Sequence, residues 1–260
     1  MSSHPIQSIQ APRPAGCIQC KSDKALDFEF AFAYQPIVDL GARTIFGHEA
    51  LVRGPNGESA YSVLSQVTDE NRYTFDQACR VNAIRGAAAL GIKEFLSINF
   101  LPNAVYRPEA CIRSTLDAAQ RYDFPIERII FEVTEGEQVQ DRPHLVNIFS
   151  EYRRFGFKTA IDDFGAGYAG LNLLAAYQPD IVKIDMDLVR DIDTNPAKQA
   201  IVKGIVSICA ALNVRVLAEG IETKPERDFL HGAGIDLMQG YLFCKPAFQA
   251  IGVIDPSSWI

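Results

Sequence analysis

Apolar residues along this chain follow two alternating patterns. Short runs rich in β-branched and aromatic residues predict strands, at Phe30–Ile37, Thr44–Val52, Glu94–Asn99, Ile129–Glu132, Lys158–Asp162, Ile181–Ile184 and Arg215–Ala218, with a last pair near Asp236–Phe243. Segments with helical spacing lie between them, at Phe75–Leu90, Cys111–Tyr122, His144–Phe155, Ala197–Leu212 and Pro225–Gly232. This alternation predicts βαβ units and a parallel sheet that is covered on both faces.

The number of strands and the first connection define the expected architecture. About eight strands within roughly 230 residues favour a closed barrel over an open sheet. The first two strands are separated only by Asp39–Arg43, which is too short for a crossover and forms a hairpin instead. We therefore expect an α/β fold, a TIM-like (β/α)8 barrel with one antiparallel strand near the start. Residues 1–27 predict a flexible N-terminal tail, and residues 28–260 the domain.

Charge and hydropathy exclude some classes of partner. The 260 residues carry a net charge of -7, which argues against binding duplex nucleic acid by general electrostatics. No apolar run is long enough to insert into a membrane, and the N-terminus lacks the basic start and apolar core of a signal peptide. A cytoplasmic location is the resulting expectation.

The cysteines predict no disulfide framework. Four of them, Cys79, Cys111, Cys209 and Cys244, stand alone in apolar segments and are expected to be reduced core thiols. Cys17 and Cys20 form a C-x-x-C in the tail, where only His4 could add a metal ligand. Absence of an essential function is the favoured interpretation of this pair, and a redox or metal-binding accessory is the alternative.

Polar residues recur where the apolar strands end. They are Glu49, Asn99, Glu132, Asp162, Asp163, Lys183 and Glu219. Any one of them alone could be a helix cap, a turn residue or a solvated strand end. The recurrence at successive strands is better explained by a common site, because the carboxyl ends of parallel barrel strands meet at one rim.

Several carboxylates at one rim repel each other unless cations neutralise them. Ligand sets made of oxygen atoms suit Mg or Mn. Adjacent strand residues face opposite sides, so Asp162 and Asp163 could share a site only where their strand is ending. Two ions about 3.5–4 Å apart are the usual device for phosphodiester hydrolysis. The glycine-rich stretch that follows, with Gly165 and Gly167, suits a gating loop.

These residues lie in motifs that resemble one family. The segment HEALVR, His48–Arg53, contains the Glu-Ala-Leu signature of EAL domains, and further matches follow in the family's order. They are QPIV at Gln35, SINF around Asn99, FEVTE at Glu132, IDDFGAGYAGL at Asp162, DIVKID at Lys183, AEGIE at Glu219 and QGYLFCKP at Gln239. The resemblance covers about residues 30–248 and implies a phosphodiesterase that hydrolyses cyclic di-GMP to linear pGpG, using water activated by two divalent cations, Mg or Mn.

The resemblance also implies a role for each residue. Glu49, Asn99, Glu132 and Asp162 would hold one ion, and Asp162 would bridge to a second ion held by Asp163 and Glu219. Catalysis would involve Lys183 beside the attacking water, with Glu219 as the alternative base. The substrate would contact Arg53, through a phosphate, and Gln35, Leu51, Gln239 and Pro246, while Glu135 would brace the glycine-rich loop and Glu222 would support the ligands. The family often forms homodimers, and a regulatory partner is expected to supply the signal.

The chain departs from the EAL sequence pattern at two positions, and three alternatives to the phosphodiesterase interpretation remain open. Gly54 and Ala169 stand where many EAL domains have Trp and Ser, which bears on rate and loop behaviour. The first alternative is a catalytically silent EAL domain that acts as a cyclic di-GMP receptor or a protein-interaction module. The second is an unrelated barrel enzyme, such as an enolase-type lyase or an aldolase that uses Lys183. The third is a scaffold without catalysis.

Overall fold

The computed structural model describes residues 26–134, 142–167 and 170–260. Its centre is a closed barrel of eight strands, in which β2 to β8 run parallel and β1 pairs antiparallel with both β2 and β8. The strands are β1 Ala31–Asp39, β2 Thr44–Arg53, β3 Phe95–Asn99, β4 Ile129–Thr134, β5 Lys158–Phe164, β6 Ile181–Ile184, β7 Arg215–Ala218 and β8 Leu237–Met238. The expected α/β barrel is confirmed, and β1 is the antiparallel strand.

The hairpin between β1 and β2 sets the register of the first two strands. Its turn begins at Asp39, whose Oδ1 accepts the Ala42 N–H at 3.0 Å, and Arg43 closes it with a left-handed φ of 55°. Residues pair from Ala31 with Arg53 to Asp39 with Thr44. The reversed direction of β1 follows directly from this short connection.

Helices surround the barrel and cover its outer face. They are α1 Ala60–Leu64, α2 Arg72–Leu90, α3 Pro108–Cys111, α4 Arg113–Arg121, α5 Arg142–Arg154, α6 Gly170–Ala176, α7 Met186–Val189, α8 Pro196–Ala211 and α9 Lys224–Gly232. Within the described ranges, no helix is both long and apolar enough to span a membrane. Cys79, Cys111 and Cys209 are buried free thiols as expected, whereas Cys244 is only half-buried.

The local structure differs from the predicted elements in three places. The helix expected at Cys111–Tyr122 is present as the slightly shorter α4, and a separate short helix, α3, precedes it and meets it at Ile112 (φ -74°, ψ -15°). The short helices α1, α6 and α7 carry too few turns to show a period and were not predicted. The strand pair expected near Asp236–Phe243 contains only β8, and the further strand, β9 Ala247–Phe248, lies beyond it and pairs with β1.

The early end of β8 has a local cause. The chain turns at Gly240, where a Cβ atom would lie 2.0 Å from the Ile221 carbonyl oxygen. The Ile221 N–H donates to the Gln239 carbonyl, and the Leu242 N–H donates to the Ile221 carbonyl. These bonds tie the chain to the loop after β7 instead of extending the strand pair.

Two apolar layers result from the alternation along the strands. One set of side chains fills the barrel interior: Ile37, Ile130, Ala160, Ile181, Leu217 and Leu237, with Phe46 and Phe95 packed against it. The intervening residues, such as Val182 and Ile184 on β6, pack outward against the helices. Inward positions therefore recur every second residue, and the next inward layer lies toward the carboxyl ends of the parallel strands.

Candidate active site

The polar layer of the barrel follows from this period of two. On successive parallel strands, the residue two positions after an inward apolar side chain is polar. The pairs are Ile130 and Glu132, Ala160 and Asp162, Ile181 and Lys183, Leu217 and Glu219, and Leu237 and Gln239. On the reversed strand β1 the polar residue comes first, with Gln35 before Ile37. The barrel therefore brings these side chains together directly above its apolar interior.

Asp162 and Asp163 share the site for a reason that differs from the expected one. Strand β5 does not end at the pair but continues to Phe164, which pairs with Ile184 after a register shift that follows Ile161. Asp163 adopts a left-handed φ of 53° at this bulge, and its N–H donates to Asp162 Oδ1 at 2.9 Å. A bulge re-aims a side chain without ending the strand, and here it lets adjacent carboxylates face one rim.

The ammonium of Lys183 lies at the centre of the site and is fully buried. Its Nζ is 2.8 Å from Glu219 Oε1, 2.9 Å from Glu132 Oε2, 3.1 Å from Asp162 Oδ1 and 3.6 Å from Glu49 Oε2. Burial opposes the charged form, but these four carboxylates together raise the pKa of Lys183 well above its ordinary value. One buried cation thus bridges carboxylates from three strands and from the residue that directly follows β7.

The carboxylates outnumber the positive charge that they surround, and their pKa values reflect this. Burial, together with Glu49 and Asp162, raises the pKa of Glu132 to about 8 against the opposing effect of Lys183. Burial likewise raises the pKa of Glu219 well above its ordinary range. At Asp163, burial and the nearby charges of Asp162 and Asp185 raise the pKa to about 6. The cluster therefore holds more acidic groups than the single ammonium of Lys183 can neutralise.

The described residues contain two groups of carboxylates that could hold metal ions. Glu49, Glu132 and Asp162 form one, and Asp162, Asp163 and Glu219 form the other, with the oxygen atoms of each group within 4.8 Å of one another. Asp162 belongs to both. Carboxylate ligands suit hard divalent cations, and the excess of acidic groups over the one ammonium at the rim favours the binding of such cations.

Amide side chains orient the first carboxylate. Asn99 Nδ2 donates to Glu49 Oε1 at 3.0 Å, and Gln239 Nε2 donates to Glu49 Oε2 at 2.8 Å and to Gln35 Oε1 at 3.1 Å. Gln35 in turn donates from Nε2 to the Cys244 carbonyl at 3.1 Å. Gln35 and Gln239 were predicted to contact substrate, and the structure also makes them part of the hydrogen-bond network that holds Glu49.

A cavity of about 160 Å3 opens beside this network. Gln35 and Gln239 line it together with Met186, Gly220, Glu222, Gly240 and Tyr241. Glu222 is exposed and pairs with Arg190 Nη2 at 2.7 Å. The other predicted substrate contacts, Leu51, Arg53 and Pro246, are half-buried, and Arg53 Nη1 donates to the Val52 carbonyl at 2.7 Å.

Part of the predicted site lies outside the described residues. This holds for Glu135, for Ala169 and for the Cys17–Cys20 pair. Gly165 and Gly167 are described and exposed, directly after the Asp162–Asp163 bulge, and Gly165 has a φ of 102°. The exposed stretch begins beside the second carboxylate group.

Two further site residues were missed by the sequence reasoning. Ser97 is fully buried, and its Oγ donates to Glu132 Oε1. Asp185 caps α7 by accepting the Asp187 N–H at 2.9 Å, and its charge contributes to the raised pKa of Asp163. The signal was the same alternation, since Ser97 lies two positions before Asn99 and Asp185 two positions after Lys183.

Comparison with known protein sequences identifies the family of this chain. The sequence profile of the EAL domain matches residues 22–246. The chain belongs to the EAL domain family.

Among curated EAL relatives, the blue light- and temperature-regulated antirepressor BluF of Escherichia coli is 33% identical over 238 residues, which are 88% of this chain and 59% of BluF. The cyclic di-GMP phosphodiesterase PdeR of Escherichia coli is 37% identical over 127 residues, 49% of this chain and 19% of PdeR. The chain thus spans about three fifths of BluF and a smaller share of PdeR.

Solved EAL structures share the barrel. A standalone versatile EAL protein from Vibrio cholerae O395, in its c-di-GMP bound form, is 55% identical with a TM-score of 0.88, and the match covers 90% of this chain and 99% of that one. BlrP1 of Klebsiella pneumoniae, in a manganese/cy-diGMP complex, is 36% identical with a TM-score of 0.81, covering 89% of this chain and 59% of BlrP1. Both neighbours hold the cyclic dinucleotide.

Proposed function

We propose that this chain is a metal-dependent phosphodiesterase that hydrolyses cyclic di-GMP to linear pGpG. The observation that carries the proposal is the pair of overlapping carboxylate groups, with Asp162 common to both and Lys183 between them. A shared carboxylate is the ligand that a two-metal site requires. The names of PdeR and of the Vibrio cholerae and Klebsiella pneumoniae structures support the substrate.

The proposed ligands divide between two Mg or Mn ions. Glu49, Asn99, Glu132 and Asp162 would hold the first, and Asp162, Asp163 and Glu219 the second. When bound, such ions lower the pKa of water and stabilise the attacking and leaving oxygens of a phosphodiester. Gln239 would keep Glu49 in place and Ser97 would keep Glu132 in place, since each donates a hydrogen bond to that carboxylate.

Lys183 would orient the attacking water and compensate the charge that develops during attack. Its Nζ lies within 3.1 Å of oxygen atoms from both carboxylate groups, on Glu132, Asp162 and Glu219. A group in this position can hydrogen-bond to a water molecule shared by the two ligand sets. Because the raised pKa keeps Lys183 protonated, Glu219 is the candidate for accepting the proton of that water, and burial favours its protonated form.

Recognition of the nucleotide is proposed for the mouth of the barrel. Gln35 and Gln239 line the cavity there, and Leu51, Arg53 and Pro246 would complete the pocket. Arg53 would bind a phosphate, for which a guanidinium has the matching fork geometry. A positive group at the mouth would attract the phosphate locally, since the net charge of the chain, -7, does not do so. We extend the proposal to a cytoplasmic homodimer that responds to a regulatory partner.

The test is nucleotide turnover by purified protein with Mg, Mn or Ca, with pGpG and GMP separated by chromatography. The proposal expects pGpG as the product with Mg or Mn and none after chelation by EDTA. Binding of cyclic di-GMP without any pGpG under all metal conditions would refute it.

That negative result would support a second function, a cyclic di-GMP receptor without catalysis. The observation that favours this alternative is the similarity to BluF, which is named an antirepressor. Tight nucleotide binding that changes the affinity for a protein partner, with no turnover, would establish it.

A further inference from the structure

A buried ion pair lies behind the site, between helix α2 and the barrel. Arg80 is fully buried, and its Nη2 lies 2.8 Å from Asp76 Oδ2. The Arg80 Nη1 donates to the Tyr152 hydroxyl at 2.7 Å. The guanidinium also packs on three rings, with its carbon 4.9 Å from the centre of Phe131 and 5.4 Å from those of Phe100 and Tyr152. Arg80 thus fixes the position of Asp76.

Asp76 in turn reaches the segment that follows β3. Its Oδ1 accepts the Leu101 N–H at 2.9 Å, two residues after Asn99. Between them, the Phe100 N–H donates to the Glu132 carbonyl at 3.1 Å. Asn99 itself lies beside Glu132 in the register of β3 and β4. The backbone on the far side of Asn99 is therefore held at two consecutive amides, one by Asp76 and one by β4.

Stability alone is a weak reason for this arrangement. Removing two charges from water costs about as much as their attraction returns, and apolar residues of similar size often replace such a pair without loss. An apolar replacement would keep the packing against Phe100 and Phe131. It would lose the acceptor for the Leu101 N–H, and with it the hydrogen bond that connects the pair to the backbone following Asn99.

We infer that Asp76 is a positioning residue for the first cation site, acting through the Leu101 N–H to hold Asn99 in place, with Arg80 holding Asp76. This inference rests on the proposed function, because it assumes that Asn99 binds a metal ion. Neither residue touches the proposed substrate or cations. Their effect is expected in metal affinity, which depends strongly on the groups that orient the ligands.

Two double variants separate positioning from packing. Asp76→Asn/Arg80→Met removes both charges but keeps an oxygen that can accept the Leu101 N–H. Asp76→Leu/Arg80→Met removes the charges and the acceptor together. Mn2+ affinity is measured for each by isothermal titration calorimetry and by electron paramagnetic resonance of free Mn2+, with thermal unfolding as the control for folding.

We expect the Asn variant to bind Mn2+ within about threefold of the natural protein and the Leu variant to bind about ten- to a hundredfold more weakly, the range typical for groups that orient metal ligands. Saturating Mn2+ should restore most of the turnover of the Leu variant. Equal affinities in the two folded variants would overturn the inference, because packing would then account for the pair.

A measurement on the unaltered protein covers the case in which a variant does not fold. Hydrogen exchange of the Leu101 amide, without metal and with Mg2+, reports the Asp76 contact directly. If the Leu101 amide is protected from exchange without metal, the backbone after Asn99 is held before metal binds, as the inference requires. Protection that appears only with Mg2+ would overturn the inference. If the natural protein binds no Mn2+, the proposed function fails, whereas the exchange of Leu101 still tests the contact.

Discussion

Asp162 and Asp163 are consecutive in the chain, yet both place carboxylate oxygens within 4.8 Å of an oxygen of Glu219. An uninterrupted strand would direct the two side chains to opposite faces. In β5 the left-handed φ of 53° at Asp163 and the register shift after Ile161 explain why both side chains face the same rim. The proposed ligand assignment depends on this bulge, because it places Asp162 in both carboxylate groups and Asp163 in one.

Replacing Asp162 is expected to remove both metal ions. Because the residue belongs to both carboxylate groups, Asp162→Ala should lower turnover by about a thousandfold or more, corresponding to the several kcal/mol that metal ions contribute to the transition state. Metal titration and pGpG production measure the two effects. The matched control is Asp236→Ala, an exposed carboxylate at the opposite end of β8 that pairs with His231. Turnover by Asp162→Ala near the control's rate would contradict the two-metal assignment.

Replacing Lys183 should separate chemistry from metal binding. Lys183→Ala removes the ammonium from among four carboxylates, so metal ions should bind at least as tightly, because a competing cation is gone. Turnover should fall by about 100- to 1,000-fold, the range for loss of one group that stabilises developing charge in the transition state. Lys158→Ala, at the opposite end of the barrel where it pairs with Asp180, is the control. Loss of metal binding in Lys183→Ala would instead assign the lysine a structural role.

Exchange of the metal should distinguish binding from catalysis. Ca2+ tolerates looser geometry and more ligands than Mg2+. We therefore expect Ca2+ to support cyclic di-GMP binding with little pGpG production, and Mg2+ or Mn2+ to support both. Equilibrium binding and turnover in the same buffer, after removal of metal by EDTA, provide the comparison. Equal turnover with Ca2+ and Mg2+ would show that the rim does not require strict octahedral coordination.

A stability prediction concerns the contact between α2 and β1. A Cβ atom at Gly86 would lie 2.1 Å from the Tyr34 hydroxyl oxygen, which donates to the Ala83 carbonyl at 3.0 Å. Gly86→Ala should therefore destabilise the protein by about 1–3 kcal/mol, as expected for overpacking, although alanine favours helix more than glycine does.

Chemical denaturation of a double-mutant cycle tests this contact. In a Tyr34→Phe background the oxygen is absent, and most of the cost of Gly86→Ala should disappear. If Gly86→Ala lowers the free energy of unfolding equally in both backgrounds, the Tyr34 hydroxyl is not the reason for glycine at this position.

The sequence by itself determined the type of fold and most of the rim. The alternation of strands and helices predicted the barrel, because each pattern reflects which face of a local element is buried. The short link after Asp39 determined the antiparallel β1, since no crossover fits there. Polar residues at the strand ends indicated Glu132, Lys183 and the other candidates before any contact was known.

Only the tertiary structure decided how these residues meet. The bulge at Asp163, the hydrogen bond from Ser97 to Glu132, and the contact of Gln239 with Glu49 depend on strand register around the closed barrel. The positions of β9 and of the short helices also depend on packing. Local periodicity reports which side chains point inward, but it carries no information on which inward side chains from distant strands come within hydrogen-bonding distance. Closure of the barrel sets those distances.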